Sequence, residues 1–542
     1  MKNNDYTYVF SSFDTLPDRF FQGYCFVNND LIIGEEGAKD YPGEIIPFND
    51  GCYISIVKKE DTYTIGVDSN GFKKIFLYNK NGVWAISNSI YLLAKYLYSK
   101  GIKLTRNYPV LAAFFRHGNV GNQMATLKTV FNEISLFPHE AYINVVNGII
   151  SIEKKGISKD LGYQTNMNVY IETWISRIET IISSRSTKAI TDLTGGIDSR
   201  TTYSLFKAAL DRLNLDRSDN LFIRSDSTPK NHVDLQCAKK IVDRYKGKLN
   251  QPAKLQMTKY NGSYAYEKWK YLNLGNYFPI YIPRNNMPNN AIFFGGGAGE
   301  VHRSVYGNRT PKIFSMNLKR RIEEKYDLHS SKDLKSLLDL YSNQFVDSVE
   351  ELEKISPDSN INPLVLHYRE FRNRFHAGRS PQYGQTIAPL GSNLLTTCST
   401  YCDKDSLDRG QILYDIMESL CPGLAMMPYD MELKFPSYDA IKNIRLISIN
   451  EKSNPGKIYN KNEESIKKTT TNEPSVSPLV YLKEELDDFI GNYNNEFFTN
   501  EFLNDASDFL AKSVQNDSFT HAADAAPVSQ ILTYKMMLDF SR

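Results

Sequence analysis

From Ala189 to Arg200 the chain reads AITDLTGGIDSR: a short apolar strand, a tight polar turn and the start of a helix. Gly195 and Gly196 let the backbone approach a ligand closely and turn successive N–H groups into one concavity, at the positive end of the helix that follows. Asp198 and Ser199 then stand at the helix mouth, where a carboxylate can hold a cation and a hydroxyl can donate to an oxyanion. A Gly-Gly turn also occurs for tight packing alone. With strand before it and helix behind it, the unit is read as a phosphate cradle, although the chain has no Gly-x4-Gly-Lys-Ser/Thr loop.

The flanking periodicity says what kind of sheet carries this turn. Ile171, Trp174, Ile175, Ile178, Ile181 and Ile182 recur at three- and four-residue spacings, which predicts a helix over 165–185, capped at Thr165 or Asn166, with a core-facing stripe. Tyr203, Leu205, Phe206, Ala209 and Leu210 predict the next helix. Leu221, Phe222 and Ile223 predict a strand running into Arg224, Ser225 and Asp226, and Val233, Cys237, Ala238, Ile241 and Val242 a further helix. A later strand, 291–294, ends in the glycine-rich turn 295–300, which contains Gly296, Gly297 and Glu300. Continuous apolar strands alternating with amphipathic helices predict a parallel sheet covered on both faces. Ligands of such sheets bind beyond the carboxyl ends of the strands, so 194–199 and 295–300 are expected to face one cleft.

Residues 1–155 differ in character. Alternating runs at 52–57 and 62–67, a turn at 68–71, a strand at 74–78 and a helix face of Ile90, Leu92, Leu93, Tyr96 and Leu97 predict a layered α+β domain. Residues 310–450 are expected to be largely helical, with Leu334, Leu337, Leu338, Leu340 and Phe345 in one stripe. Residues 452–477 are polar and aperiodic, which predicts a mobile linker, and helices close the chain. At 542 residues the chain is too long for a single core. The expected division is 1–155, 156–455 and 456–542, the last a linker with C-terminal helices packing on the second unit.

With 64 Lys+Arg against 62 Asp+Glu, nothing in the charge balance calls for nucleic acid or an anionic membrane as partner. The six cysteines are scattered, without a CxxC pair or a metal-ligand spacing, and are read as reduced thiols, with Cys398 and Cys402 as buried small apolar residues. No segment approaches the roughly 18 apolar residues of a membrane span, and Met1 to Asp5 begin no signal peptide. A cytoplasmic protein is expected.

The run from Leu193 to Ser199 resembles the pyrophosphate-binding loop, Ser-Gly-Gly-x-Asp-Ser, of the ATP pyrophosphatase (PP-loop) superfamily, and specifically its asparagine synthetase-like branch, with Thr194 in place of the first Ser. Asp68-x-x-Gly71 and Ser87-Asn88-Ser89 resemble the glutaminase half of that family. Asp234, Arg372-Asn373-Arg374 before Ala388-Pro389-Leu390, and Pro422-Gly423-Leu424 with Pro428-Tyr429 resemble its later segments. The likeness runs loosely over about residues 40–450, and only the loop is specific.

The resemblance implies an N-terminal Ntn-hydrolase-like αββα domain. After it would come a doubly wound parallel-sheet ATP pyrophosphatase domain, adenine nucleotide α-hydrolase-like, with helical additions. It further implies a ligase that uses ATP and Mg²⁺ to adenylate a carboxylate, releases AMP and pyrophosphate, and passes the acyl group to ammonia or an amine. Leu193, Thr194, Gly195, Gly196, Ile197, Asp198 and Ser199 would cradle the phosphates, with Asp198 on the metal. Arg224, Ser225 and Asp226 would contact adenosine, and Gly296 and Gly297 would line the nucleotide. Lys434 would stabilise charge during acyl transfer, and Arg374 would lie on the substrate or phosphate side, where His302, Arg303 and His376 are further candidates.

Two departures from the family are visible. Its glutaminase nucleophile is an N-terminal cysteine, whereas this chain begins Met1-Lys2, has its first cysteine at Cys25 and lacks the family's Asn-Gly-Glu run. The first domain is therefore expected to be structural, or adapted to hold another substrate. In the second glycine turn, Gly296 and Gly299 stand where the family has Glu and Asp, which leaves Glu300 as the candidate second metal ligand. The partner implied is a small-molecule or peptide carboxylate, as in β-lactam synthetases, lasso-peptide cyclases or the amidation of surface-polysaccharide sugar acids. Neither nucleic acid nor a membrane span is expected, and a homo-oligomer is left open. The alternative is a nucleotide-binding regulator or assembly partner that has lost catalysis.

Overall fold

A computed structural model of the chain describes residues 5–114, 118–156, 161–184, 186–215, 220–225, 232–250, 258–286, 291–324, 334–356, 361–449, 452–460 and 476–541. It is a mixed α/β protein. Strands β1 (Val9–Ser11), β2 (Arg19–Val27), β3 (Asp30–Ile33), β4 (Gly51–Lys59), β5 (Thr62–Val67), β6 (Phe76–Lys80), β7 (Val83–Ser87), β8 (Ile134–Leu136), β9 (Ala141–Val146) and β10 (Ile149–Lys154) build the first region. They form a four-stranded sheet, β1-β7-β6-β8, and most of a mixed seven-stranded one. Ile54, Ile56, Ile65, Val67, Ile143 and Val145 of the larger sheet meet Leu77, Trp84 and Ile86 of the smaller in one buried cluster, because alternation along each strand leaves one apolar face to cover. The helix Ile90–Ser99, capped by Ser89, packs on β7 and β1.

A four-stranded parallel sheet follows, formed by β11 (Lys188–Asp192), β12 (Leu221–Arg224), β15 (Ala291–Phe294) and β16 (Thr386–Ile387) in the order β12-β11-β15-β16. Strands β13 (Thr258–Lys259) and β14 (Asn285–Asn286) pair separately. The expected parallel sheet is therefore present, and β11 lies inside it with β12 and β15 as neighbours.

The anticipated long helix spans Gly162–Ile182, beginning before the expected cap: Asn166 lies inside it and donates to the Gly162 carbonyl. Its stripe is buried as expected, but it covers two layers at once. Trp174 and its neighbours share a single cluster with Tyr24 and Phe26 of β2 and with Ala189, Leu205 and Phe206 of the second region. No solvent gap separates the two regions at this seam. Val233 and Leu340, counted in apolar stripes, are exposed.

The end of the chain also departs from expectation. Residues 452–460 are tied down rather than forming a free linker, since Gly456 donates to Thr180 Oγ1 at 2.8 Å and Lys457 to Asp30 Oδ1 at 2.7 Å. Strand β17 (Ile458–Tyr459) then extends the large sheet by pairing parallel with β3; residues 461–475 of the expected linker lie outside the described residues. The closing helices Pro478–Asn492, Asn500–Gln515 and Ala526–Phe540 pack in one cluster with Ile90, Leu93 and Leu111 of the first region and with Trp269 and Phe345 of the second. They therefore bridge the two regions instead of resting on the second alone. Among the described residues no helix is long and apolar enough to cross a membrane.

Candidate functional site

The carboxyl ends of β11 and β15 are adjacent in the sheet, and both glycine turns leave from them. After β11, the helix Ile197–Arg212 starts at Gly196 with no side chain capping it, which leaves its first-turn N–H groups and positive dipole end open to an anion. Thr194 and Ser199 fix the turn from within: their hydroxyls lie 2.9 Å apart, the Thr194 N–H donates to Ser199 Oγ at 3.1 Å, and that of Gly196 donates to Thr194 Oγ1 at 3.2 Å. The Gly195 N–H donates to Asp234 Oδ1 at 2.6 Å, so a carboxylate already sits on this loop. Leu193 and Ile197 belong to the core by their side chains and face the turn only through their backbone.

The second turn presses on the first. A Cβ on Gly296 would lie 3.0 Å from the Ser199 nitrogen and 3.2 Å from Asp198 Cβ, and one on Gly299 would overlap the Asp198 carboxylate. These glycines are needed for the close approach of the two turns. Asp198 occupies the space that a carboxylate at 299 would need. A Cβ on Gly297 would meet only Ala377 at 3.6 Å, and one on Gly195 would overlap Asp430.

Around Asp198 stand Arg303, Glu300 and Lys434. Arg303 Nη2 donates to both Asp198 oxygens at 2.9 Å. Burial raises the Asp198 carboxyl to about 6, opposed by Arg303 and reinforced by the negative charge of Glu300. Glu300 Oε2 accepts from the Tyr368 hydroxyl, so the expected second metal ligand is held by Tyr368 and acts on Asp198 through its charge. Lys434 Nζ pairs with Asp430 Oδ2 at 2.6 Å, and the Asp430 backbone abuts Gly195. Lys434 thus lies beside the loop.

Arg374 is a correction. It is fully buried, pairs with Glu370 and donates to the carbonyls of Gly71 at 3.0 Å and Phe137 at 2.9 Å. Its Nε and Nη1 join the π-helix Tyr368–Ala377 to the first region, and its Nη2 is buried without a hydrogen-bond partner among the described residues. Gly71, at φ +60 with its Cα against Arg374, is a packing residue of that joint. His302 is buried with Nε2 on the Leu390 carbonyl at 2.7 Å, and burial lowers it to about 3. His376 meets the Tyr277 hydroxyl at 2.8 Å and is likewise lowered to about 3 by burial and by Arg372 and Arg379. Both histidines are neutral structural groups.

Arg224 pairs with Asp192 across the ends of β12 and β11 at 2.8 Å. Beside it Ser225 Oγ is buried without a hydrogen-bond partner among the described residues, a polar atom suited to a ligand, while Asp226 lies outside the described residues. The sequence pattern gave no role to Arg200. Its buried guanidinium stacks 3.7 Å over Tyr429 and donates to the carbonyls of Met427 and Pro428, which pins the 427–430 segment against the loop. The signal was its place one helical residue after Ser199, but only the fold supplies its partners.

All six cysteines are unpaired. Cys25 lies buried in β2 with its thiol pushed up by burial, which is inert chemistry. Cys398 is buried as expected, whereas Cys402 is only half-buried and accepts from Arg445 at 3.8 Å. Among the described residues no three His, Cys, Asp or Glu side chains are grouped to hold a metal. A nucleotide-bound Mg²⁺ needs only one or two carboxylates beside its phosphate oxygens, a demand that the Asp198 carboxylate alone would meet. No family model and no curated protein matches this chain.

Proposed function

We propose that the protein is an ATP-dependent, amide-forming ligase of the asparagine synthetase type, belonging to the PP-loop superfamily, with an Ntn-hydrolase-like first domain that does not hydrolyse glutamine. It would adenylate a small-molecule or peptide carboxylate, release AMP and pyrophosphate, and pass the acyl group to ammonia or a substrate amine. The observation that carries this reading is the uncapped helix start at Gly196, with Asp198 at its mouth and the Gly296 turn packed against it, at the carboxyl end of a parallel sheet.

Mg-ATP, when bound, supplies a good leaving group for an otherwise unreactive carboxylate. The chain's own residues bind and orient. The first-turn N–H groups and Ser199 would take phosphate oxygens, and Asp198 would take the cation once released from Arg303. Arg303 and Lys434 would then offset negative charge at the reacting end, and Ser225 is available to the nucleoside. Incubating the protein with Mg-ATP and a panel of carboxylates and amines, and assaying pyrophosphate and AMP, tests it. Absence of both products across such a panel would sink the reading.

A second reading, a nucleotide-binding regulator without turnover, is favoured by one specific contact, the Asp198–Arg303 pair, which holds the metal-binding carboxylate on a guanidinium. Mg-ATP affinity without product formation would select it.

A further inference from the structure

The turn 68–71 of the first region leads directly into two lysines whose side chains go inward. Lys73 and Lys74 are 6% and 1% exposed, and Lys268, on the helix Gly262–Asn273, is 7% exposed. Among the described residues Lys73 Nζ donates to the Tyr6 carbonyl, at 3.3 Å. Lys268 Nζ donates to the Tyr260 hydroxyl at 3.2 Å and lies 5.6 Å from the Tyr6 ring centre, with Tyr264 and Tyr383 each at 6.0 Å. Lys74 Nζ has only the Phe375 ring, at 5.0 Å. Among the described residues none of the three has a carboxylate within ion-pair distance, and Asp5 acts on Lys268 only through its charge. Asp68 acts on Lys73 and Lys74 from a distance, because its oxygens already accept the N–H groups of Asn70, Phe72 and Lys73.

Buried ammonium groups without a counter-charge are costly, and proteins keep them only where something neutralises them. Aromatic faces attract each cation but carry no net charge. Burial holds Lys73 and Lys268 down at about 8 and Lys74 at about 7, with Lys268 adding to the shift of Lys73 and Arg374 to that of Lys74. A multiply charged oxyanion would restore all three charges at once. It would also accept the hydrogen bonds that Lys74 lacks.

We propose that Lys73, Lys74 and Lys268 form an anion-binding site, separate from the two glycine turns, which takes the phosphate or carboxylate group of a small ligand whose apolar part lies against Tyr6, Tyr264, Tyr383 and Phe375. None of its residues belongs to 194–200 or 295–303, so it stands or falls independently of the nucleotide reading. In place of a glutamine-hydrolysing centre, the first region would present a holding site at its contact with the second.

The test is calorimetric titration of the full chain with inorganic phosphate and, separately, with succinate. Saturable binding of at least one anion is expected, weakened at least tenfold in Lys74→Met and in Lys268→Met and unchanged in Lys103→Gln, at an exposed position. Binding of phosphate alone identifies a phosphate ligand, and binding of succinate alone a carboxylate one. Failure of both anions to bind the parent chain, or unchanged binding in the lysine variants, overturns the proposal. Should a variant fail to fold, acetic anhydride labelling of the parent chain decides. The bound anion should protect Lys73, Lys74 and Lys268 while exposed Lys103 stays reactive, and equal labelling with and without anion overturns the site.

Discussion

Arg303 Nη2 lies 2.9 Å from both carboxylate oxygens of Asp198, 105 residues earlier in the chain. The contact closes the helix Ile197–Arg212 onto the second glycine turn and occupies the Asp198 carboxylate, to which the proposed function assigns a cation. A guanidinium so placed is a built-in competitor for any metal ion. It is also a ready donor to phosphate once the carboxylate turns away.

Removing the competitor should therefore free Asp198. Arg303→Gln is expected to tighten Mn²⁺ binding about tenfold, or about 1.4 kcal/mol, as followed by electron paramagnetic resonance titration of free Mn²⁺. Unchanged or weaker binding would show that the pair does not gate the carboxylate.

The protonation of Asp198 gives a pH signature. Its carboxyl is raised to about 6 in the folded chain, so the anion proposed to take the cation is lost as pH falls through 6, and Mg-ATP affinity should climb between pH 5 and 7. In Asp198→Asn the affinity should drop at least tenfold and lose that dependence. Stability runs the opposite way. The folded state binds the proton more tightly than the unfolded chain, so this group's contribution to stability declines as pH rises from about 4 to about 6, a slope that urea titrations of Asp198→Asn should lack.

Arg374 and Arg224 should separate structure from surface. Arg374→Met leaves Glu370 buried and strips donors from two carbonyls, and a loss of about 3–5 kcal/mol is expected in urea unfolding. Arg224→Met removes a half-exposed pair with Asp192, for which a loss of about 0–1 kcal/mol is expected.

Gly299 tests the close approach of the turns. Its Cβ would overlap Asp198, so Gly299→Ala should cost about 1–3 kcal/mol through overpacking and should break the Arg303 contact. Crystallographic or NMR observation of an intact pair in that variant would contradict this account.

Much of this molecule was legible in its sequence. The apolar runs at 189–191, 221–223 and 291–294 are strands of one parallel sheet, because a strand buried on both faces must be apolar throughout. The Gly195–Gly196 turn and the helix behind it are equally local, set by backbone freedom and by the period of the side chains. Asp234 and Lys434, noted only for their positions in the pattern, do come to the loop: Asp234 accepts from Gly195 and Lys434 pairs with Asp430 beside it.

Local pattern could not assign partners across long separations. Arg374 looked like a site residue because it stands in an arginine-rich helix, but its guanidinium pairs with Glu370 one turn earlier and donates to the buried carbonyls of Gly71 and Phe137, which lie in the first region. Residues 452–460 looked like free linker because their composition is polar; backbone N–H groups satisfied by Thr180 and Asp30 and a vacant edge at β3 made them a strand. The sequence by itself determined where this chain can turn, which faces it must bury and where an anion could meet a helix end, since these follow from glycine, apolar period and capping within a few residues. Only the tertiary structure decided that Asp198 rests on Arg303 and that three lysines share one buried place, because charge pairing in a low-dielectric interior depends on which distant groups the fold brings within a few ångströms.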